Sequence, residues 1–329
     1  MRTYAQNSLA QDALHLLTDL QSCFKEKLTD VANSSDKLTN NSISTSMPFK
    51  SVDWLRDEGK HGGGTRFEAV EGGMFNRASI NVSQIHYEDS PEKHYDSATA
   101  LSTIIHPKDP LSPSIHMHYS LTILKDGSSY WRIMADLNPS HFNKDDKEYF
   151  DQTLKVAAKD HYSEGAKLGN QYFDIPALNK RRGVSHFYLE GFNPKNEDGA
   201  AFTNQFATKV IDTYIDLLSL HSVNIEQPTE AQQQKQLDYH TLYFYQVLTL
   251  DKGTTAGLLV HNQNDVGTLG SLPSHINRDQ LSEWEALSPE PIKSLVTDLL
   301  AVLPKQTSCP ITTEIKAELA QVIRAFYQK

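Results

Sequence analysis

Apolar residues recur at three- and four-residue intervals early in the chain, at Ala13, Leu16, Leu17, Leu20, Phe24 and Leu28. That spacing places them on one stripe and predicts an amphipathic helix from Ala10 to Leu28, laid on a core. A polar tract, DVANSSDKLTNNSISTSMP, follows, and residues 32–48 are expected to form a mobile loop. Beyond it the pattern changes to short runs rich in β-branched and aromatic residues, divided by Gly, Pro or Asp-Gly. NVSQIHY, ALSTIIH, SIHMHYSLTIL, SYWRIMADL, SHFYLEGF, YFYQVLTL and TAGLLVH read as strands, and LKDGSSYW as a hairpin turn. Helical patterns return at Asp145 to Leu168, Gly199 to Leu220, Leu295 to Leu303 and Ile311 to Tyr327. Strands crowd the centre and helices mark the ends and two crossings, which predicts a single α+β domain over 1–329 with a largely antiparallel sheet.

Composition narrows the function classes. The 329 residues are 38% hydrophobic, enough for a sizeable core, and carry a formal charge of -10 that repels phosphate and argues against a nucleic-acid partner. Cys23 and Cys309 have no CxxC or CxxH spacing, so no disulfide framework or zinc knuckle is implied, and a reducing compartment suits them. No run reaches the roughly 18 apolar residues of a spanning helix. The first residues also lack an apolar signal core, so the expected setting is cytoplasmic.

The segment IIHPKDPLSPSIHMHYS concentrates candidate chemistry. His116 and His118, two apart on a strand, point to the same face. With His106 they could ligate a metal, with Asp136 completing a two-His-plus-acid set. The alternative is that they are hydrogen-bonded surface or core residues. Asp136, ending an apolar run before Asn-Pro, is either a turn former or a carboxylate at a pocket rim. GKHGGGTR fits neither the Walker nor the dinucleotide fingerprint, which leaves a glycine loop lining a ligand near Arg66. NKRRG is a solvated charge cluster or an anion clamp.

Five segments, in order from about Trp54 to Trp284, resemble the oxygen-dependent coproporphyrinogen III oxidases. They are WLRDEGKHGGGTRFEAVEGGMFNRASINVS, LSTIIHPKDPLSPSIHMH, WRIMADLNP, YFDIPALNKRRGVSHFYLEGF and LDKGTTAGLLVHNQNDVGTLGSLP. The resemblance implies one α+β domain, a large twisted antiparallel sheet covered by helices on both faces, normally a homodimer. The implied reaction converts two propionates of a porphyrinogen to vinyl groups with O2 as co-substrate and no organic cofactor. By the same resemblance Asp136 would accept pyrrole N–H groups, His106 and His116 would relay protons, and Ser102 and Arg182 would contact the substrate.

The chain departs from the family where cations are expected. HxNxR has become His118 and Ser120, KHR has become Pro176, Ala177 and Leu178, and two glycines are Ser185 and His186. The arginine of DRGT is Lys252, and the arginine before ESILMSLP is Asn264. His118, His186 and His261 thus bring new imidazoles, and Ser120, Lys252 and Asn264 are candidate substrate contacts. A charge-assisted hydrogen bond contributes roughly 1.5 to 3 kcal/mol, so losing three costs on the order of 5 kcal/mol. Arg66, Arg77, Arg132, Lys180 and Arg181 are the cations that could take their place. Two readings follow: a divergent oxidase of a tetrapyrrole, or the same scaffold binding metal or tetrapyrrole without the parental reaction.

Overall fold

In the computed structural model, which describes residues 1–38, 48–70, 73–194, 198–222, 227–260 and 264–328, the alternating segments become strands of one sheet. Helix α1 (Ser8–Leu38) leads into β1 (Phe49–Leu55), β2 (Gly62–Ala69), β3 (Phe75–His86), β4 (Tyr95–Pro107), β5 (Ser114–Leu124) and β6 (Ser129–Asn138). Then come α2 (Lys144–Ala158), α3 (Tyr162–Tyr172), the short strands β7 (Asp174–Ile175) and β8 (Lys180–Arg181), and β9 (Ser185–Phe192). The remainder is α4 (Gly199–Ser222), α5 (Glu230–Thr249), α6 (Lys252–Val260), α7 (Asp265–Thr268), β10 (His275–Asn277), α8 (Arg278–Leu287), α9 (Ile292–Val302), β11 (Ser308–Pro310) and α10 (Thr313–Tyr327). The seven-stranded sheet runs β1-β2-β3-β4-β5-β6-β9 and is antiparallel throughout.

One face of this sheet is apolar. Leu101, Ile115, Met117, Ile133 and Phe187 pack there against Leu17 and Phe24 of α1, Phe150 of α2 and Phe206 of α4. Over the other face α5 and later helices build a second core around Phe244, Leu248, Leu272, Leu299 and Leu319, which meets the sheet at Ile104. The chain therefore adopts the expected α+β arrangement, an antiparallel sheet with helices on both faces. No helix among the described residues is long and apolar enough to cross a membrane.

Several expectations are corrected. Residues 32–38, expected in the polar loop, continue α1, and 39–47 lie outside the described residues. Val31 and Ala32 extend the stripe beyond Leu28 and are buried. Each large side chain fully buried along that stripe contributes roughly 1.5–3 kcal/mol, which carries the helix past its polar end. YFYQVLTL lies in α5 and TAGLLVH runs into α6, so both are helical rather than strands as far as they are described. Helix α5 is buried at every residue from Tyr239 to Thr249 except the partly buried Leu242, and burial nearly all round erases the 3.6-residue rhythm. Its start was written in the sequence: Thr229 and Gln232 form a reciprocal capping box. The helix expected over Asp145 to Leu168 is broken by a 3-10 turn at Lys159–His161, where Lys159 has φ +49°.

The glycines of GKHGGGTR line no ligand loop: Gly59 ends a 3-10 turn at Asp57–Gly59, and Gly62, Gly63 and Gly64 open strand β2. A Cβ on Gly62 would lie 2.1 Å from the Gln84 carbonyl oxygen and one on Gly64 2.5 Å from Trp54 Nε1. Close strand approach, not ligand contact, requires them. NKRRG is likewise split. Lys180 and Arg181 are exposed, Arg181 lies 3.6 Å from Asp174, and Arg182 turns fully inward.

Candidate active site

The second sheet face is polar along two rows set by strand register. Arg66, Asn81, Ser102, His118, Met134 and Tyr188 face one another across β2, β3, β4, β5, β6 and β9. The neighbouring row carries Ile104, His116, Asp136 and His186. Between this face and helices α5 to α7 lies a cavity of about 350 Å3, bordered by Ser102, His116, His118, Arg132, Tyr188 and Asn264 among others. A volume of this order is that of a small-molecule site.

Asp136 is fully buried and is no turn former. Its Oδ1 lies 3.1 Å from His116 Nδ1, while Oδ2 accepts from Arg182 Nη2 at 3.0 Å and from Asn138 Nδ2. Burial alone would raise the carboxyl pKa, but Arg182 and then His116 and Asn138 outweigh it, so the group stays below its ordinary value and ionised. Arg182 Nη2 also lies 3.2 Å from His116 Nδ1. One nitrogen cannot donate to the carboxylate and accept from the guanidinium at once. The carboxylate is the stronger partner, so Nδ1–H donates to Asp136 and Nε2 is left outside that contact. His116 borders the cavity and Asp136 sits behind it. The Arg182 guanidinium is stacked over the rings of Phe173 at 4.4 Å and Tyr243 at 4.9 Å.

His118 has both ring nitrogens engaged, Nδ1 with Ser102 Oγ at 2.7 Å and Nε2 with Ser120 Oγ at 3.1 Å. Burial, reinforced by Arg132 and His116, pushes its pKa down to about 3, so it is a neutral part of the cavity wall. Ser102 and Asn264 border the cavity; Ser120 supports His118 from behind.

Other expected site residues lie off the cavity. His106 is fully buried, its Nδ1 3.0 Å from Ser114 Oγ and its ring edge-on to Tyr243 at 4.7 Å and His240 at 5.2 Å. It sits two residues beyond Ile104, the last of the β4 residues Ser102, Thr103 and Ile104 that border the cavity, and Tyr239, His240 and Tyr243 of α5 close over it. His186 hydrogen-bonds the Arg182 carbonyl at 2.7 Å beneath the site. Lys252 is exposed at the start of α6. Arg66 is buried against Gly267 and Asn264 rather than in the cavity lining. His261 lies outside the described residues. A site enclosed by His106, His116 and His118 does not form, and among the described residues no three His, Cys, Asp or Glu side chains are grouped to hold a metal ion.

Sequence reasoning missed a polar wall. Arg132 pairs with Glu190, which accepts from Tyr188 Oη at 2.8 Å, and Tyr172 Oη donates to Asp251 at 2.8 Å. Against burial, which favours the neutral acid, Tyr188, Arg132 and more weakly Lys252 hold the Glu190 carboxyl below its ordinary pKa. The signal was present: Arg132, Met134 and Asp136 are two apart on one strand and must share a face.

Over residues 20–301 the sequence matches the family model described as coproporphyrinogen III oxidase. The chain belongs to that family. The oxygen-dependent coproporphyrinogen-III oxidase, mitochondrial, of Rattus norvegicus is 28% identical over 280 residues, covering 77% of this chain and 61% of that protein. The oxygen-dependent coproporphyrinogen-III oxidase of Drosophila melanogaster is 29% identical over 267 residues, covering 74% and 67%. The one of Rickettsia akari is 27% identical over 244 residues, covering 69% and 84%. This member of the coproporphyrinogen III oxidase family spans about three fifths of the length of its mammalian relatives.

Proposed function

We propose that the chain catalyses the oxygen-dependent oxidative decarboxylation of coproporphyrinogen III in haem or porphyrin biosynthesis, or of a related, less anionic tetrapyrrole. The observation that carries this reading is His116, whose ring borders the cavity while Asp136, locked by Arg182 and Asn138, holds it from behind. Each conversion balances as propionate, O2 and one proton giving vinyl, CO2 and hydrogen peroxide. Oxygen takes the two electrons, so no organic cofactor is needed. The protein supplies a proton acceptor at the reacting side chain and a shielded pocket. His116 takes that proton at Nε2, and Asp136 stabilises the resulting imidazolium. Asp136 thus acts through His116 and is a positioning residue, rather than a direct acceptor of pyrrole N–H. The family resemblance extends the proposal to a homodimer.

A second reading, a scaffold that holds a tetrapyrrole without turning it over, is favoured by the pairing of Arg132 with Glu190, which occupies a cation on the cavity wall. An oxygen electrode separates the two. The oxidase reading predicts enzyme-dependent O2 uptake on adding coproporphyrinogen III, strongly reduced in His116→Ala. Uptake no faster than spontaneous oxidation, alongside tight porphyrin binding, favours the scaffold.

A further inference from the structure

We propose that the buried Arg66 and Lys316, with the half-buried Arg77, form an anion subsite at the β2–β3 end of the cavity that takes a carboxylate of the bound ligand. The inference rests on the reading of the cavity as a tetrapyrrole site and concerns how that site compensates for its missing arginines. Arg66 is 4% exposed and Lys316 5% exposed, yet the cations here outnumber the acids. Glu68 is paired with Arg66 Nε at 2.6 Å and shared with Lys50 at 3.4 Å. Arg77 and Lys316 form no ion pair among the described residues, and Arg66 Nη1 and Arg77 Nε are buried without a hydrogen-bond partner. Taking charges out of water without partners is costly, and a cluster with excess positive charge and unused N–H groups is complementary to an anion.

The cluster adjoins the cavity. Arg66 continues the row of Asn81 and Ser102, and Arg77 lies two residues before Ser79 on the same side of β3; those three neighbours all border the cavity. A Cβ built on Gly267 would lie 2.1 Å from Arg66 Nη1 and 2.1 Å from Asn264 Oδ1, so the guanidinium rests directly against two cavity-lining residues. Lys316 comes from α10, beyond the stretch that matches the family. Burial, followed by the charge of Arg77, pushes its pKa down to about 7, and the one nearby carboxylate, Glu68, offsets this only in part. Arg132, on β6, is four strands from Arg66 on β2, about 19 Å at sheet spacing. The two ends of the polar floor thus each carry a cation, suited to a wide ligand with carboxylates on its rim.

The test is equilibrium binding of coproporphyrin III and its tetramethyl ester to wild type, Lys316→Met and Arg77→Gln. Lys316→Met removes a buried charge that has no partner and is expected to fold; Arg77→Gln repeats the test independently. Each variant is expected to weaken coproporphyrin III binding about tenfold or more and leave the ester unchanged. Unchanged affinity for the acid in both variants overturns the subsite and leaves the cavity reading standing. If wild type binds neither porphyrin, the cavity reading fails, and propionate decides the subsite alone. A melting temperature raised by sodium propionate over equal sodium chloride in wild type, but not in Lys316→Met, supports it; no difference overturns it.

Discussion

Arg182→Met is expected to destabilise the fold by about 3–5 kcal/mol, the cost of stranding one partner of a buried ion pair. Arg182 and Asp136 are both fully buried and 3.0 Å apart. Without the guanidinium the carboxylate keeps only His116 and Asn138, and burial then drives its pKa upward. The double variant Arg182→Met, Asp136→Asn removes both charges and should recover much of that loss, because a neutral pair leaves no unpaired charge. Urea unfolding of the two single variants and the double closes the cycle. Strictly additive losses would mean that the pair is not coupled and that Asp136 is held by something else.

How much of this site was legible depended on how far each residue's meaning reaches along the chain. SIHMHYSLTIL and SHFYLEGF coincide with β5 and β9, because period two and bounding Pro or Gly are local signals. The shared face of His116 and His118 follows from the same period. Whether Asp136 was a turn former or a buried carboxylate could not be local, since the deciding partner, Arg182, is 46 residues away. The same holds for His118, whose two serine partners convert a possible metal ligand into a neutral wall. Helix α5 reads as a strand in the sequence because buried aromatic and β-branched runs look alike in strand and core helix. Lys316 carried no signal at all, as a lysine on an amphipathic helix is ordinarily solvated.

Acid should destabilise the protein well above the range in which carboxylates titrate. His106 is fully buried and His240 is 2% exposed. Burial lowers both pKa values, that of His106 well below the ordinary value and that of His240 to about 3. In the unfolded chain each titrates near about 6.5. Below that pH the unfolded state binds protons that the native state refuses, so stability falls as pH falls. Two such groups give a slope of about 2.7 kcal/mol per pH unit between roughly pH 6 and 4.5. His118 and His186 are shifted in the same direction. His221 opposes them, because its hydrogen bond to Asp146 raises its pKa, but it is only half-buried and its contribution is screened. Urea midpoints across this window should show the fall, and His106→Asn should reduce the slope by about 1.4 kcal/mol per pH unit. A stability profile flat from pH 6 to 4.5 would contradict the neutral buried state of these histidines.

The assignment of the cavity as a site of oxidative decarboxylation is tested most directly by product mass. Coproporphyrinogen III is added anaerobically, the mixture is exposed to air, and the tetrapyrroles are analysed by mass spectrometry. The expected product has lost two CO2 and carries two vinyl groups, formed by wild type and not by His116→Ala. Recovery of only coproporphyrin, with all four carboxylates intact, would contradict the assignment.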